Sequence, residues 1–520
     1  MKTALIHGVI SPHDQNCSAF VIEENKFIYV GDDETASLMA DTIIDLKGQC
    51  VLPGFNDSHM HLLNTGSFLS NLDLTKAHSA QEIYDLVKEK AETCTENQWI
   101  CGRGFNQDNF TDGSMITKEK LDAITDCPVA LVRCCGHMMV VNSKALELAN
   151  MNEHTAIDGG GIDFEHGWLS ENANERVKAA QTYTTEQIEQ LLIKGAQFCN
   201  QYGITSVQSD DFMTLTHHYN QVLEAYLNLD KKGLLTVRVH EQCQFPDLDT
   251  FKEFLNDERR HIHTDSLSMG PLKMLQDGSL GARTAALSEP YHDDASTSGM
   301  IVIPQKTLED FLTLAKQHNM GAAVHVIGDE ACETVLKAYE KISEPDNPLR
   351  NGLVHVQITR DDQIKRIANL KLHGYIQSIF VDYDARIVKE RVGALEETSY
   401  AFKTLHDTST ISNGSDSPVE LPDVLKGIEC AVSRTSITDP SRSLNKKEAL
   451  SVKEAIDSYT VGGAYASFEE QIKGKIEVGM LADFVILDRN PMQTPIHEIH
   501  NIQIKETWMN GRKVYSKSSF

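Results

Sequence analysis

Basic residues are scarce in this 520-residue chain: 48 lysines and arginines face 75 aspartates and glutamates, a formal net charge of −27. That deficit argues against nucleic acid or an anionic membrane surface as a partner, since both would be repelled. Cysteine pairing is poorly served too. The 11 cysteines are an odd number, no C-x-x-C occurs, and the single adjacent pair is Cys134-Cys135. Neither a disulfide framework nor a zinc knuckle is indicated, and a reducing cytoplasm is the expected location. The N-terminus, Met1-Lys2-Thr3-Ala4-Leu5-Ile6-His7-Gly8, has no long apolar run, which speaks against a signal peptide or a membrane span. Internal repeats and low-complexity tracts are absent as well. What is present is an ordinary globular mixture, 41% hydrophobic and 24% charged, long enough for two to four domains at about 100–200 residues each.

The first fifty residues read as short strands and turns: Ala4-Leu5-Ile6, Ser18–Ile22 and Lys26–Val30. The last fifty have the same character, with Asp483–Leu487, then Ile502–Met509 running into an Asn510-Gly511 hairpin signal before Val514-Tyr515. Residues 1–50 and 470–520 are therefore expected to share one small β domain, two unrelated β caps being the other reading of the same pattern. Between them, short apolar runs alternate with segments of helical period. Candidate strands are Cys50–Phe55, Ile204–Val207, Leu235–Val239, Leu272–Leu275, Ala322–Val326, Leu353–Val356, Tyr375–Gln377 and Thr410–Ser412. Capping-box patterns at Thr184–Gln187 and Ser451–Glu454 open helices. Eight strand–helix units predict an α/β fold, a (β/α)8 TIM barrel over 51–74 and 181–469. The first two strands lie about 150 residues apart where about 30 suffice, so 75–180 is expected to be an insertion. Within it Asp158-Gly159-Gly160-Gly161 reads as a loop.

In such a barrel the active site lies at the C-terminal ends of the strands. Polar residues gather there in a pattern. Asp57-Ser58-His59-Met60-His61 follows strand one; Lys273 lies in strand four, His325 in five and His355 in six. Gly414-Ser415-Asp416-Ser417-Pro418 follows strand eight. Residues i and i+2 of a strand share a face, so His59 and His61 can address one metal, and imidazoles with carboxylates suit zinc-like divalent ions. Each residue alone has a plain reading: a chance His-x-His, satisfied core histidines, a lysine paired with a buried acid, a turn aspartate. The six together, in this order, point to a metal-dependent enzyme.

With these motifs the chain resembles the amidohydrolase superfamily, in its YtcJ-like branch. The resemblance is carried by Pro53–His61, Gly136-His137 with Asn142 and Ala145-Leu146, Gly167–Glu171, Lys273 through Asp277–Leu287, His325–Ala331, Val354-His355, Gly414–Pro418 and Gly474–Phe484. Departures are Gln377-Ser378, where relatives often have Gln-Pro, and Cys135, where they often have an acidic or small polar residue; both bear on the substrate rather than the chemistry. The resemblance implies that residues 1–50 and 470–520 form a β-sandwich, to which the chain returns at Gly474–Phe484, and it implies a divalent cofactor, zinc above all, as one ion or two. In one arrangement Lys273 is carboxylated and bridges two ions, with His59, His61 and Asp416 on one and His325 and His355 on the other. In the alternative, Lys273 stays an ammonium beside a single ion. Hydroxide on the metal would attack a small amide, an N-acyl or N-formyl compound, with Asp416 as base and then acid. His137 and Arg283 are candidate oxyanion or substrate-orienting groups, a structural hydrogen bond being the other role open to His137. A deaminase of a cyclic amidine is the rival chemistry. A catalytically silent binding or scaffold relative is the rival class, disfavoured because none of the six positions is lost. The partner expected is a small molecule, and the resemblance also allows a homo-oligomer.

Overall fold

The structure is a computed structural model that describes residues 1–10, 17–94, 98–111, 113–135, 137–216 and 218–517. Gly136, read above with His137, lies outside the described residues. The chain divides into two compact units, one of residues 1–64 and 192–520 and one of Thr65–Leu191.

The larger unit contains an eight-stranded parallel sheet in sequential order, curled into a nearly closed barrel: a mixed α/β, TIM-type fold. Its strands are β1 (Phe55–Met60), β2 (Ile204–Ser209), β3 (Arg238–Gln244), β4 (Leu267–Leu275), β5 (Ala322–Val326), β6 (Gly352–His355), β7 (His373–Ile376) and β8 (Thr410–Asn413). Helices follow the strands, as Tyr219–Lys232 follows β2 and Asp329–Ile342 follows β5. The latter buries Ala331, Cys332, Val335, Leu336, Ala338, Tyr339 and Ile342, the apolar stripe that a helix laid on a sheet requires. At the seam, β1 and the segment after β8 exchange backbone bonds: Asp416 N donates to His59 O (2.8 Å) and His61 N to Ser417 O (2.9 Å).

The expected first barrel strand, Cys50–Phe55, is corrected. Cys50–Pro53 pairs antiparallel with Phe484–Leu487 in a five-stranded sheet completed by Val9–Ile10, Ile504–Met509 and Arg512–Ser516. The chain changes sheets at Gly54, whose N–H bonds Asp483 O at 2.9 Å and where a β-carbon would come 2.2 Å from Thr205 Oγ1. Residues 51–53, assigned above to the barrel, thus belong to a terminal sheet. A four-stranded sheet of Lys26–Gly31, Ala19–Glu23, Lys2–Ile6 and Thr42–Asp45 shares one apolar cluster with it, including Phe20, Phe27, Val51, Phe484 and Trp508. Asn510 and Gly511 carry φ of 53° and 67°, the pair of positive values a two-residue I′ hairpin needs.

The unit Thr65–Leu191 is wider than the 75–180 read from strand spacing. It holds a six-stranded mixed sheet running from Gly160–Asp163 through Trp168–Glu171, Met138–Val141, Val129–Arg133 and Ile100–Phe105 to Leu72–Asp73. The glycine run expected as loop is partly strand: Gly159 turns at φ 67°, and Gly160 and Gly161 pair with Glu171 and Ser170. No helix among the described residues is long and apolar enough to cross a membrane.

Candidate metal centre and active site

His59 lies within β1 rather than after it, and His61 follows one residue beyond the strand's end. Both rings are held from behind. The amide nitrogen of Gln242, on β3, donates to Ser58 O (3.1 Å), which turns its Oε1 toward His59 Nδ1 at 2.7 Å. An acceptor there requires Nδ1 to carry the proton, leaving the lone pair on Nε2. His61 Nδ1 likewise donates to the carbonyl of Asp210 (2.9 Å). The two Nε2 atoms converge on Asp416 Oδ1, at 3.5 Å for His59 and 3.1 Å for His61. Three ligand atoms thus lie within 4.8 Å of one another, each imidazole oriented by an outer hydrogen bond in the manner usual at metal sites. The donor set and its fixed tautomers fit a divalent cation.

Charge at this cluster is unbalanced in a way a cation would relieve. Burial raises the Asp416 carboxyl, but the hydrogen bond from His61 and the charges of His59, His355 and His61 hold it well below the usual carboxylate range. Burial lowers His61, yet its bond to Asp416 and that charge lift it to about 9. His59, 1% exposed, is kept well below the ordinary imidazole value by burial and then by the Lys273 ammonium. Asp416 (φ 58°), His355 (φ 74°) and Val356 (φ 49°) all occupy left-handed backbone. For non-glycine residues this costs on the order of 1–3 kcal/mol each, and such strain gathers at functional sites.

Of the other predicted residues, His355 and His325 flank this group without joining it. The His355 ring lies 5.5 Å from that of His59 and 4.4 Å from that of His325, centroid to centroid. His325 Nε2 bonds Gly278 O at 3.0 Å, so its Nδ1 bears the lone pair. His355 Nδ1 is buried without a geometrically sound hydrogen bond; burial, then the charge of His325, hold this ring far below the ordinary value. Lys273 Nζ is 3.2 Å from Asp210 Oδ2, both buried. Arg283, at φ 56°, gives its guanidinium to Asp293 (2.9 and 3.2 Å) rather than to any of the six. His137 belongs to the unit Thr65–Leu191, where its exposed Nδ1 pairs with Glu171 Oε2 at 3.1 Å and is raised by that bond.

Several supporting residues escaped the sequence reading. Asp57 accepts from Ser415 N (3.0 Å), Ser415 Oγ (2.5 Å) and His59 N (3.3 Å), pinning the β8 segment to β1. Burial still drives its pKa up to about 7. Asp277 receives the backbone N–H of Ile327, Gly328 and Ala286 at 2.7–3.0 Å. Behind Asp210, Asp211 accepts from Tyr226 Oη and Ser209 Oγ, each at 2.5 Å, and its own N–H bonds Glu241 Oε1 at 2.8 Å. Burial raises both of these carboxyls. The available signal was position: Asp210-Asp211 directly follow an expected barrel strand, at the barrel end that carries catalytic groups.

The amidohydrolase family model matches residues 42–515. The chain belongs to the amidohydrolase family. It is 34% identical over 489 residues to the Bacillus subtilis (strain 168) protein named "Putative amidohydrolase YtcJ", covering 91% of this chain and 90% of that one. It is 24% identical over 502 residues to the N-substituted formamide deformylase of Arthrobacter pascens, covering 92% and 90%. Among solved structures, a metal-dependent hydrolase from Pyrococcus furiosus superposes with a TM-score of 0.81 at 32% identity, over 95% of this chain and 100% of that one. Membership makes the protein a hydrolase of the metal-dependent kind, and the His59–His61–Asp416 group at the barrel mouth is its candidate metal site.

Proposed function

We propose that the protein hydrolyses a carbon–nitrogen bond in a small non-peptide amide, an N-acyl or N-formyl compound. The observation that carries this reading is the convergence of His59 Nε2, His61 Nε2 and Asp416 Oδ1 at the barrel mouth. The name of the Arthrobacter relative supports the bond class. A divalent ion, zinc being the best match to this donor set, supplies Lewis-acid polarisation of a carbonyl and lowers the pKa of water toward ~7. His59 and His61 serve as ligands because Gln242 and the Asp210 carbonyl keep both Nδ1 atoms protonated. Asp416, ionised at neutral pH, accepts a proton and delivers it to the leaving nitrogen, which otherwise must depart as a high-energy anion. His325 and His355 line the same mouth. Lys273 carries either a carbamate serving a second ion or the ammonium that Asp210 pairs; intact mass before and after acidification distinguishes the two.

The test is metal quantitation on protein purified without chelator, then a screen of N-formyl and N-acyl amines alongside amino-heterocycles. Acid and amine release from the amides, with Asp416→Asn lowering kcat by roughly 10²–10⁴, is the expected result. Ammonia release from the heterocycles alone, or near-normal turnover by Asp416→Asn, overturns the assignment.

A further inference from the structure

A second cavity opens at the opposite pole of the same barrel. It has a volume of about 370 Å³, within the range of small-molecule sites. Its walls come from the beginnings of the strands whose ends carry the metal-site histidines. Gly321 precedes His325 by four residues and Arg350 precedes His355 by five, a separation of roughly 13–16 Å at about 3.3 Å per residue. The cavity is thus distinct from the catalytic mouth.

Its chemistry departs from that of the molecule. In a chain with 75 acidic residues, no aspartate or glutamate lines it, whereas His240, Arg260, His261, His318 and Arg350 do. Two of these are accounted for without a ligand. Arg350 is neutralised by Glu470 (2.7 and 3.0 Å) and lies between the rings of Tyr465 and Phe468. His318 is the C-cap of helix Gln305–Gln317, where the helix dipole favours a cation. The histidines do not assemble into a cation site either: the metal-type clusters found among the described residues are His59–His61–Asp416 and His406–Asp407–Glu454.

His261 is exposed to solvent, which leaves Arg260 and His240. Arg260 is half-buried and its guanidinium makes no hydrogen bond or ion pair among the described residues, in a protein rich in carboxylates. His240 is only 6% exposed and lines the cavity. Its Nδ1 is 2.8 Å from Ser268 Oγ, and its Nε2 bonds nothing among the described residues. Burial drives its pKa down to about 4, so the ring is neutral, and a Ser268 hydroxyl donating to Nδ1 leaves Nε2–H as a donor. Gly270 keeps that nitrogen uncovered: a β-carbon there would lie 2.7 Å from His240 Nε2. The remaining wall is apolar, with Phe254, Met269, Met320 and Leu349.

We infer that this cavity binds a small organic carboxylate bearing an apolar group, the carboxylate on Arg260 and His240 Nε2–H and the apolar part against Phe254, Met269 and Met320. Arg260 suits the role because its planar fork matches a carboxylate and no hydrogen-bonding or charged partner among the described residues occupies it. The site is independent of the bond the enzyme cleaves.

Calorimetric titration of the full chain with phenylacetate, and in parallel with inorganic phosphate, tests the proposal. Wild-type protein is expected to bind phenylacetate saturably at one site. Arg260→Gln, which breaks no side-chain hydrogen bond or ion pair among the described residues, should bind it about ten- to hundred-fold more weakly with its ligand-free Tm unchanged. Asp416→Asn at the other pole should bind it as the wild type does. The inference is overturned by absence of saturable binding, by equal affinity in Arg260→Gln, by loss of binding in Asp416→Asn (occupancy of the catalytic mouth), or by phosphate binding more tightly than phenylacetate (a site for inorganic anions).

Discussion

Gln242 makes no hydrogen bond to Asp416 among the described residues, yet it decides which nitrogen of His59 faces the metal group. Its amide is oriented by Ser58 O and its Oε1 fixes the proton on His59 Nδ1. Gln242→Met keeps side-chain volume and removes that acceptor. Outer-shell changes of this type cost about 10–100-fold in metal affinity, and chelator competition on folded protein should show a loss of that size. Unchanged affinity would mean that β1 packing alone orients the ring. His373 shows the same logic applied to stability. Fully buried, with Thr410 Oγ1 and Ser412 Oγ each 2.8 Å from its nitrogens, it is held neutral by burial, its pKa down at about 3. The folded value lies below the unfolded one, so the unfolded state takes up the proton first as pH falls. Stability from this residue is complete above about 6.5 and is lost between about 6.5 and 3, at about 1.4 kcal/mol per pH unit. In urea unfolding, the difference between wild type and His373→Asn should change with that slope below pH 6.5 and be constant above it.

At the scale of elements, one ion pair fastens the barrel to the terminal sheets. Arg238, opening β3, binds Asp483 through two parallel bonds of 2.6 and 2.9 Å, with both side chains buried. Asp483→Asn leaves a buried guanidinium without its counter-charge. Breaking such a pair from one side costs about 3–5 kcal/mol, which the urea midpoint should report with an unchanged m-value. The strands joined here also show what could be read beforehand. Apolar runs located seven of the eight barrel strands, the first having been expected at Cys50–Phe55, but they ended where polarity began. Strand β3 was expected at Leu235–Val239 and runs Arg238–Gln244, because its polar end, with Glu241 and Gln242, is buried at the site instead of facing water. The transfer of the chain from terminal sheet to barrel was illegible for a related reason: Cys50–Phe55 reads as one apolar strand, whereas β1 begins at its last residue and runs on through Asn56, Asp57, Ser58 and His59, polar residues that are buried. His59, His61 and Asp416 could be picked out because their spacing and residue types are distinctive. Asp57, Asp210 and Gln242 could not, since a carboxylate or amide that orients a neighbour has no local pattern of its own.

For the molecule as a whole, the metal group occupies the one place where the barrel ladder is incomplete. The eight-stranded sheet runs from β8 back to β1 without pairing its two ends. The seam is held by the His59–Asp416 and His61–Ser417 backbone bonds and by Ser415 on Asp57. His59 and His61 lie on one side of that seam and Asp416 on the other, so a cation shared by them cross-links the first and last elements of the barrel. Because it binds the folded state alone, the cation adds RT ln(1 + [M]/Kd), about 2.7 kcal/mol at a hundred-fold excess over Kd. Chelator treatment should therefore lower Tm, and re-addition of zinc should restore it. Hydrogen exchange after chelation should quicken first at residues 59–61 and 414–417, while the terminal strands Phe484–Leu487 and Ile504–Met509, remote in the sheet order, keep their protection. Uniform loosening of both regions would show that the ion stabilises the fold without acting at the seam. An unchanged Tm on complete metal removal would show that the seam's own hydrogen bonds close the barrel unaided.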